Sequence, residues 1–319
     1  MLLKRGIYPV IHTPLLDDES IDFDGLNTCI EHYLETQIAG LTILGSGGEL
    51  PYFSDNEQYL MVRMVSEKLQ NKKTLIAGIN AYSSHHALQK IKAYTPYIDS
   101  VLLLLNEYYQ STFEDYYHAI STIAHSASVP ILLYYFPQVT GRYFSSDQLI
   151  KLLSINNIIG IKDSSMHLPT AKKILKNMPQ TLYFSGLSLL LEKLVNKGAA
   201  GAICPIASIL PAQVNAYFNA VSSADTYNIE QYSQSLKSIL PIVNTLHIPA
   251  TIQILALNVL SNSPIPLLKN VASSHANTKE ALQILGLPIK STVRKPLPGL
   301  ANGASEKIAR ILKQLTYLD

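Results

Sequence analysis

Three apolar runs of this chain end in residues able to do carbonyl chemistry. The run Ile158-Ile159-Gly160-Ile161 closes on Lys162, the run Ile131-Leu132-Leu133 closes on Tyr134 and Tyr135, and the run Leu41–Leu44 leads into Gly45-Ser46-Gly47-Gly48-Glu49. A lysine ending an apolar strand either snorkels to solvent or sits in a desolvated site. Desolvation favours the neutral amine, which can attack a ketone and form an iminium. The iminium is an electron sink that acidifies the adjacent methyl group. Pyruvate so bound becomes an enamine nucleophile, and a longer 2-oxo acid can be cleaved in the reverse direction. The plain alternative is a surface lysine paired with Asp163.

Tyr134 would end a strand next to that of Lys162. Neighbouring strands run about 4.8 Å apart, so its phenol could shuttle protons for a substrate on the lysine. A packing tyrosine with a satisfied hydroxyl is the simpler reading of any one of the 19 tyrosines. The glycines of the 45–49 turn allow close backbone approach and exposed amides that can hold a carboxylate, with the Ser46 hydroxyl beside them. The turn could equally be a bare connection. It lacks the spacing and the Lys-Ser/Thr ending of a phosphate-binding P-loop, which disfavours nucleotides.

Short β-rich runs recur at 7–11, 41–44, 74–77, 101–105, 131–135, 158–162, 182–184 and 201–204, giving eight candidate strands. Between them lie helical spacings such as Leu26, Ile30, Tyr33 and Leu34. Ser54 with Glu57 and Ser111 with Glu114 predict two capping boxes. Strands reading as unbroken Leu/Ile/Val runs are expected of a parallel sheet covered on both faces, and eight β/α units close into a (β/α)₈ TIM barrel. The barrel is expected over 1–210. The last barrel helix and a C-terminal helical extension follow over 211–319, with apolar spacings at Tyr217, Ala220 and Val221 and at Ile252, Leu255, Ala256 and Val259. Pro264, Pro266, Pro288, Pro296 and Pro298 punctuate that extension.

A chain of 319 residues, 47% hydrophobic, can bury a large core. The formal charge of +2, with no long run of either sign, points away from nucleic acid and membrane surfaces and toward a small-molecule partner. Cys29 and Cys204 lie far apart, and no Cys/His group has zinc spacing, so neither a disulfide framework nor a metal site is predicted. The amino terminus has no apolar stretch suited to a secretory signal, and no apolar run approaches the roughly 20 residues of a membrane helix. A soluble cytoplasmic protein is expected.

Taken together, the turn 45–49, Tyr134-Tyr135-Phe136-Pro137 and Gly160-Ile161-Lys162 closely resemble the dihydrodipicolinate synthase and N-acetylneuraminate lyase family of class I aldolases, over roughly residues 5–210. The resemblance implies a Schiff base on Lys162, catalytic Tyr134, and a hydroxyl relay of Ser46, Tyr109 and Tyr134. Tyr109, in Glu107-Tyr108-Tyr109, would enter a neighbouring subunit's site. Gly47, Gly48, Thr140 and Ile203 are the expected substrate-binding positions. A homo-oligomer, dimer or tetramer, acting on a 2-oxo acid without a cofactor is implied.

Two positions depart from the family pattern. Gly47 stands where a second hydroxyl residue is usual. Val139 stands where the synthases carry an arginine for the second substrate's carboxylate, with Arg142 three positions further on. That favours cleavage of a 2-keto-3-deoxy sugar acid over condensation with aspartate semialdehyde, with Tyr135, Gln138, Thr140 and Ser165 available to recognise hydroxyls. A true 4-hydroxy-tetrahydrodipicolinate synthase remains open through Arg142. A pyruvate-binding or regulatory barrel with weak turnover is the alternative of another class. A phosphate-binding isomerase barrel would want an anion loop after strands seven and eight, where Ser185-Gly186 offers little.

Overall fold

The computed structural model describes residues 3–243, 250–263 and 275–315. Eight parallel strands form one sheet: β1 (Gly6–Ile7), β2 (Gly40–Ile43), β3 (Thr74–Ala81), β4 (Ser100–Leu105), β5 (Ile131–Tyr135), β6 (Ile158–Asp163), β7 (Leu182–Ser185) and β8 (Gly201–Ala202). Their order is β1-β8-β7-β6-β5-β4-β3-β2. The sheet closes where Thr42 donates its N–H to Pro9 O and accepts from Ile11 N–H, both at 2.9 Å. The first strand is shorter than the run 7–11 predicts, because Pro9 has no N–H to continue the ladder. The expected (β/α)₈ barrel with extra C-terminal helices is the architecture found.

Strand alternation sorts the side chains into two layers. Leu102, Leu104, Leu132, Tyr134, Phe184 and Ile203 pack together inside the barrel. Leu103, Leu133, Tyr135, Ile161 and Tyr183 belong to the larger core between strands and helices. Most barrel helices carry a side-chain N-cap. The box of Ser54 and Glu57 forms as predicted. The other predicted box is displaced by one residue: Thr112 caps the helix Phe113–Ser126 and pairs with Asp115, while Ser111 turns back to Glu107. Ser and Thr are comparable N-caps, so the sequence offers two start points and the Glu107 contact draws Ser111 away from the cap.

Tyr217, Ala220 and Val221 are buried on the helix Pro211–Ser223, as their spacing predicts. On the helix Ala250–Ser261 the predicted apolar face splits. Ile252, Leu255 and Val259 face solvent, and Ala256 turns inward with Leu257 and Leu260. This helix is apolar on both sides, which spacing alone does not separate. Pro264 and Pro266 lie outside the described residues. No described helix is long and apolar enough to cross a membrane.

One glycine links the barrel to its working end. Leu44, directly after β2, takes a left-handed conformation at φ 57°, which turns the chain out of the strand into the 45–49 segment. Gly78 on β3 faces that bend so closely that a Cβ there would lie 1.8 Å from Leu44 O. Gly78→Ala is expected to cost about 1–3 kcal/mol or more of stability through overpacking against backbone, read as a lowered urea midpoint.

Candidate active site

Tyr134 and Lys162 are direct register partners on β5 and β6, so both side chains enter the barrel from the same level. Lys162 is only 4% exposed, and its Nζ lies 4.1 Å from the centre of the Tyr134 ring. The Tyr134 hydroxyl is 3.1 Å from Ser46 Oγ, which comes from the turn after β2. Ser46, Gly47, Tyr134 and Lys162 line one cavity of about 170 Å³ at the carboxyl ends of the strands. Asp163, next to the lysine, points to the opposite face. It accepts from Tyr183 OH at 2.8 Å and Ser165 N–H at 2.7 Å, and burial raises its carboxyl above the usual range. The surface pair with Lys162 is therefore not formed.

The turn bearing Ser46 is held from both chain ends. Leu44 and Glu49 bracket it with positive φ, and Ser46–Gly48 form one 3₁₀ turn between them. Thr13 Oγ1 donates to Gly48 O at 2.9 Å, and His275 Nε2 donates to Ser46 O at 2.8 Å. Glu49 is wholly buried and paired with the equally buried Lys279, and its other oxygen accepts from Arg294 N–H at 2.9 Å. Lys279 also donates to Thr292 O. His12 packs beneath Gly47, where a Cβ would lie 3.2 Å from the imidazole. A side chain at position 47 would press on that ring, which would have to give by a few tenths of an ångström. Burial, with His275 and Lys279 nearby, pulls the His12 pKa down to about 3, so the ring stays neutral.

Other residues singled out in the sequence do not line this cavity. Gly48 donates its N–H to Gly45 O within the turn and does not line the cavity. Ile203 is buried inside the barrel in the same cluster as Tyr134. Thr140 ends the short helix Pro137–Thr140, bonded to Phe136 O. Tyr135 bonds the backbone of Phe144 on the outer layer, Gln138 donates to Ser165 O, and Ser165 Oγ accepts from His167 N–H. Tyr109 is 84% exposed on the loop after β4, stacked edge-on with Tyr108, and is not among the residues lining the cavity with Ser46. Val139 is exposed. Arg142 is paired with Glu107, donates to Ser111 O and Thr112 O, and stacks over Tyr116 and Phe144.

Sequence reasoning missed Glu49, Lys279, Arg294, His12 and His275. Glu49 ends a turn that reads as a simple connection, and its partners come from a helical extension with no motif. The only available signal is a charged residue next to glycines, which carries no information about its partner.

The chain matches the model of the dihydrodipicolinate synthetase family over residues 3–268. It is 28% identical to the 4-hydroxy-tetrahydrodipicolinate synthase of Moorella thermoacetica over 308 residues, 96% of each chain. The 4-hydroxy-tetrahydrodipicolinate synthase structure from Methylacidiphilum fumariolicum SolV is 25% identical and superposes with a TM-score of 0.82, covering 98% of this chain and 96% of that one. A prophage protein of the dihydrodipicolinic acid synthase family from E. coli K12, solved in complex with pyruvate, has the same fold at 22% identity. Its TM-score is 0.82, over 99% of both chains.

Two stability predictions follow from the held turn. Lys279→Met leaves Glu49 charged and unpaired in the interior and should cost about 3–5 kcal/mol, and adding Glu49→Leu should recover part of it, both read by urea denaturation. For His12, the unfolded state binds a proton below about pH 6.5 that the folded state refuses until about pH 3. Stability therefore falls as pH drops through that window, by roughly 1.5 kcal/mol from pH 6.5 to 5, and His12→Gln should flatten this part of the profile.

Proposed function

The chain belongs to the dihydrodipicolinate synthetase family and is a Schiff-base-forming lyase or aldolase acting on pyruvate or related 2-oxo acids; we propose that Lys162 is the residue that carries the Schiff base. The observation that carries this reading is the convergence of Ser46 Oγ, Tyr134 OH and the buried Lys162 amine on one cavity. On this reading the substrate carboxylate rests against Ser46 and the Gly47 backbone, and its keto carbon faces Lys162 Nζ. Tyr134, bonded to Ser46, gives and takes the protons of carbinolamine collapse and of C3. Tyr109 extends that relay from the neighbouring subunit of a homo-oligomer. Exposed Tyr82, Tyr108 and Tyr109 around the barrel mouth, with Ile252, Leu255 and Val259 on the extension, are the apolar surface that such an assembly would cover. The barrel would occupy 1–210 and the extension 211–319. A cytoplasmic setting suits two buried, unpaired cysteines.

An intact trio argues against a barrel that merely binds pyruvate. A synthase accepting aspartate semialdehyde would need a cation for the second carboxylate. Val139 has none, and Arg142 is already held by Glu107 and two carbonyls. The sugar-acid reading meets a parallel difficulty. Tyr135, Gln138, Thr140 and Ser165, expected to recognise hydroxyls, make their bonds outside the cavity.

Borohydride reduction in the presence of pyruvate should leave one adduct per chain, at Lys162, located by peptide mass mapping; an adduct spread over surface lysines, or none, removes the proposal. Tyr134→Phe should keep the fold and slow turnover by roughly 10² to 10⁴, the usual contribution of a positioned acid or base. Wild-type rates in that variant would reduce Tyr134 to a packing residue.

A further inference from the structure

The three substituents of a trigonal keto carbon lie about 120° apart. With the carboxylate at Ser46 and Gly47 and the nitrogen at Lys162, C3 of pyruvate points away from the 45–49 turn, toward the remaining wall of the cavity. Apart from the turn and the reacting side chains, the cavity lining is mostly apolar, with Phe136, Met166, Leu187, Val243, Leu257 and Leu260 its larger members. Among the described residues, Lys162 is the sole charged side chain lining the cavity, and beyond the reacting trio the polar side chains there are Ser164 and Gln253. The described lining offers a charged aldehyde no counter-charge, and a polyhydroxylated one would bring more donors and acceptors than Ser164 and Gln253 can meet.

We infer that the carbonyl partner of pyruvate in this enzyme is an uncharged, apolar aldehyde, aliphatic or aromatic, and that the reaction makes or cleaves an apolar 4-hydroxy-2-oxo acid. The inference rests on the Schiff-base reading above and adds the identity of the second substrate. The Lys162 amine adds to C2 of pyruvate and water leaves, giving the iminium. Loss of a C3 proton gives the enamine, whose C3 attacks the aldehyde carbon. The alkoxide so formed takes up a proton in place of the one lost. Water then hydrolyses the iminium, releasing the 4-hydroxy-2-oxo acid and restoring the amine. Each step runs in reverse for cleavage. The helix Ala250–Ser261 contributes Leu257 and Leu260, so the C-terminal extension would set the choice of aldehyde while the barrel does the chemistry.

The test has two parts. Borohydride trapping with pyruvate alone first establishes whether Lys162 forms the iminium; its failure sinks the earlier reading and leaves no basis for this one. With the adduct in hand, kcat/KM is measured for pyruvate with 2-methylpropanal, benzaldehyde, D-glyceraldehyde and aspartate semialdehyde. The apolar aldehydes should lead by about tenfold or more, the scale at which an apolar pocket separates substrates. Equal or better rates with glyceraldehyde or aspartate semialdehyde, or no reaction with either apolar aldehyde, overturn the inference. Leu257→Gln should narrow the benzaldehyde-to-glyceraldehyde ratio by about tenfold, and an unchanged ratio in the folded variant overturns the role assigned to this wall.

Discussion

The parallel register that sets Tyr134 opposite Lys162 is the constraint from which the site follows. In a strand each residue faces opposite to its neighbour, so a slip of one position would send the lysine outward and bring Asp163 into the barrel. Everything reactive depends on that parity. Tyr134 and Lys162 point in, while Tyr135 and Asp163 point out and are satisfied there by the Phe144 backbone, Ser165 and Tyr183. The outward residues thus fix the pleat, and the inward ones face the cavity.

A second constraint acts on the serine. Tyr134 and Lys162 sit on strands, whereas Ser46 sits on a turn that bends sharply at Leu44 and again at Glu49. Such a turn has little rigidity of its own. It is clamped by Thr13 from the start of the barrel and by His275, Lys279 and Arg294 from the end of the chain. The Glu49–Lys279 pair is fully enclosed, and its energetic role is to make any other arrangement of the turn leave a charge unpaired.

Much of this could be read from residues alone, for a physical reason. Strand ends are visible because apolar runs stop abruptly, and parity then makes Lys162 and Tyr134 conspicuous. Eight such runs alternating with helical spacings lead to the barrel directly. The anchors of the 45–49 turn are invisible by the same logic: Glu49 and Arg294 are 245 residues apart, and no local pattern joins them. Spacing also failed on the helix Ala250–Ser261, because a segment apolar on both sides does not say which side lines a cavity. Arg142 illustrates the limit from the other direction. Its nearness in sequence to position 139 suggested the carboxylate of a second substrate as partner, and its guanidinium is engaged by Glu107 of the chain itself.

The clamp on Glu49 also ties the shape of the 45–49 turn to the far end of the polypeptide. The barrel strands end at Ala202, before either charged partner of the turn occurs in the sequence. Lys279 and Arg294 arrive only afterwards. The strands alone thus set Tyr134 and Lys162 in register, while the charged contacts of the turn beside them come from residues far beyond the last strand.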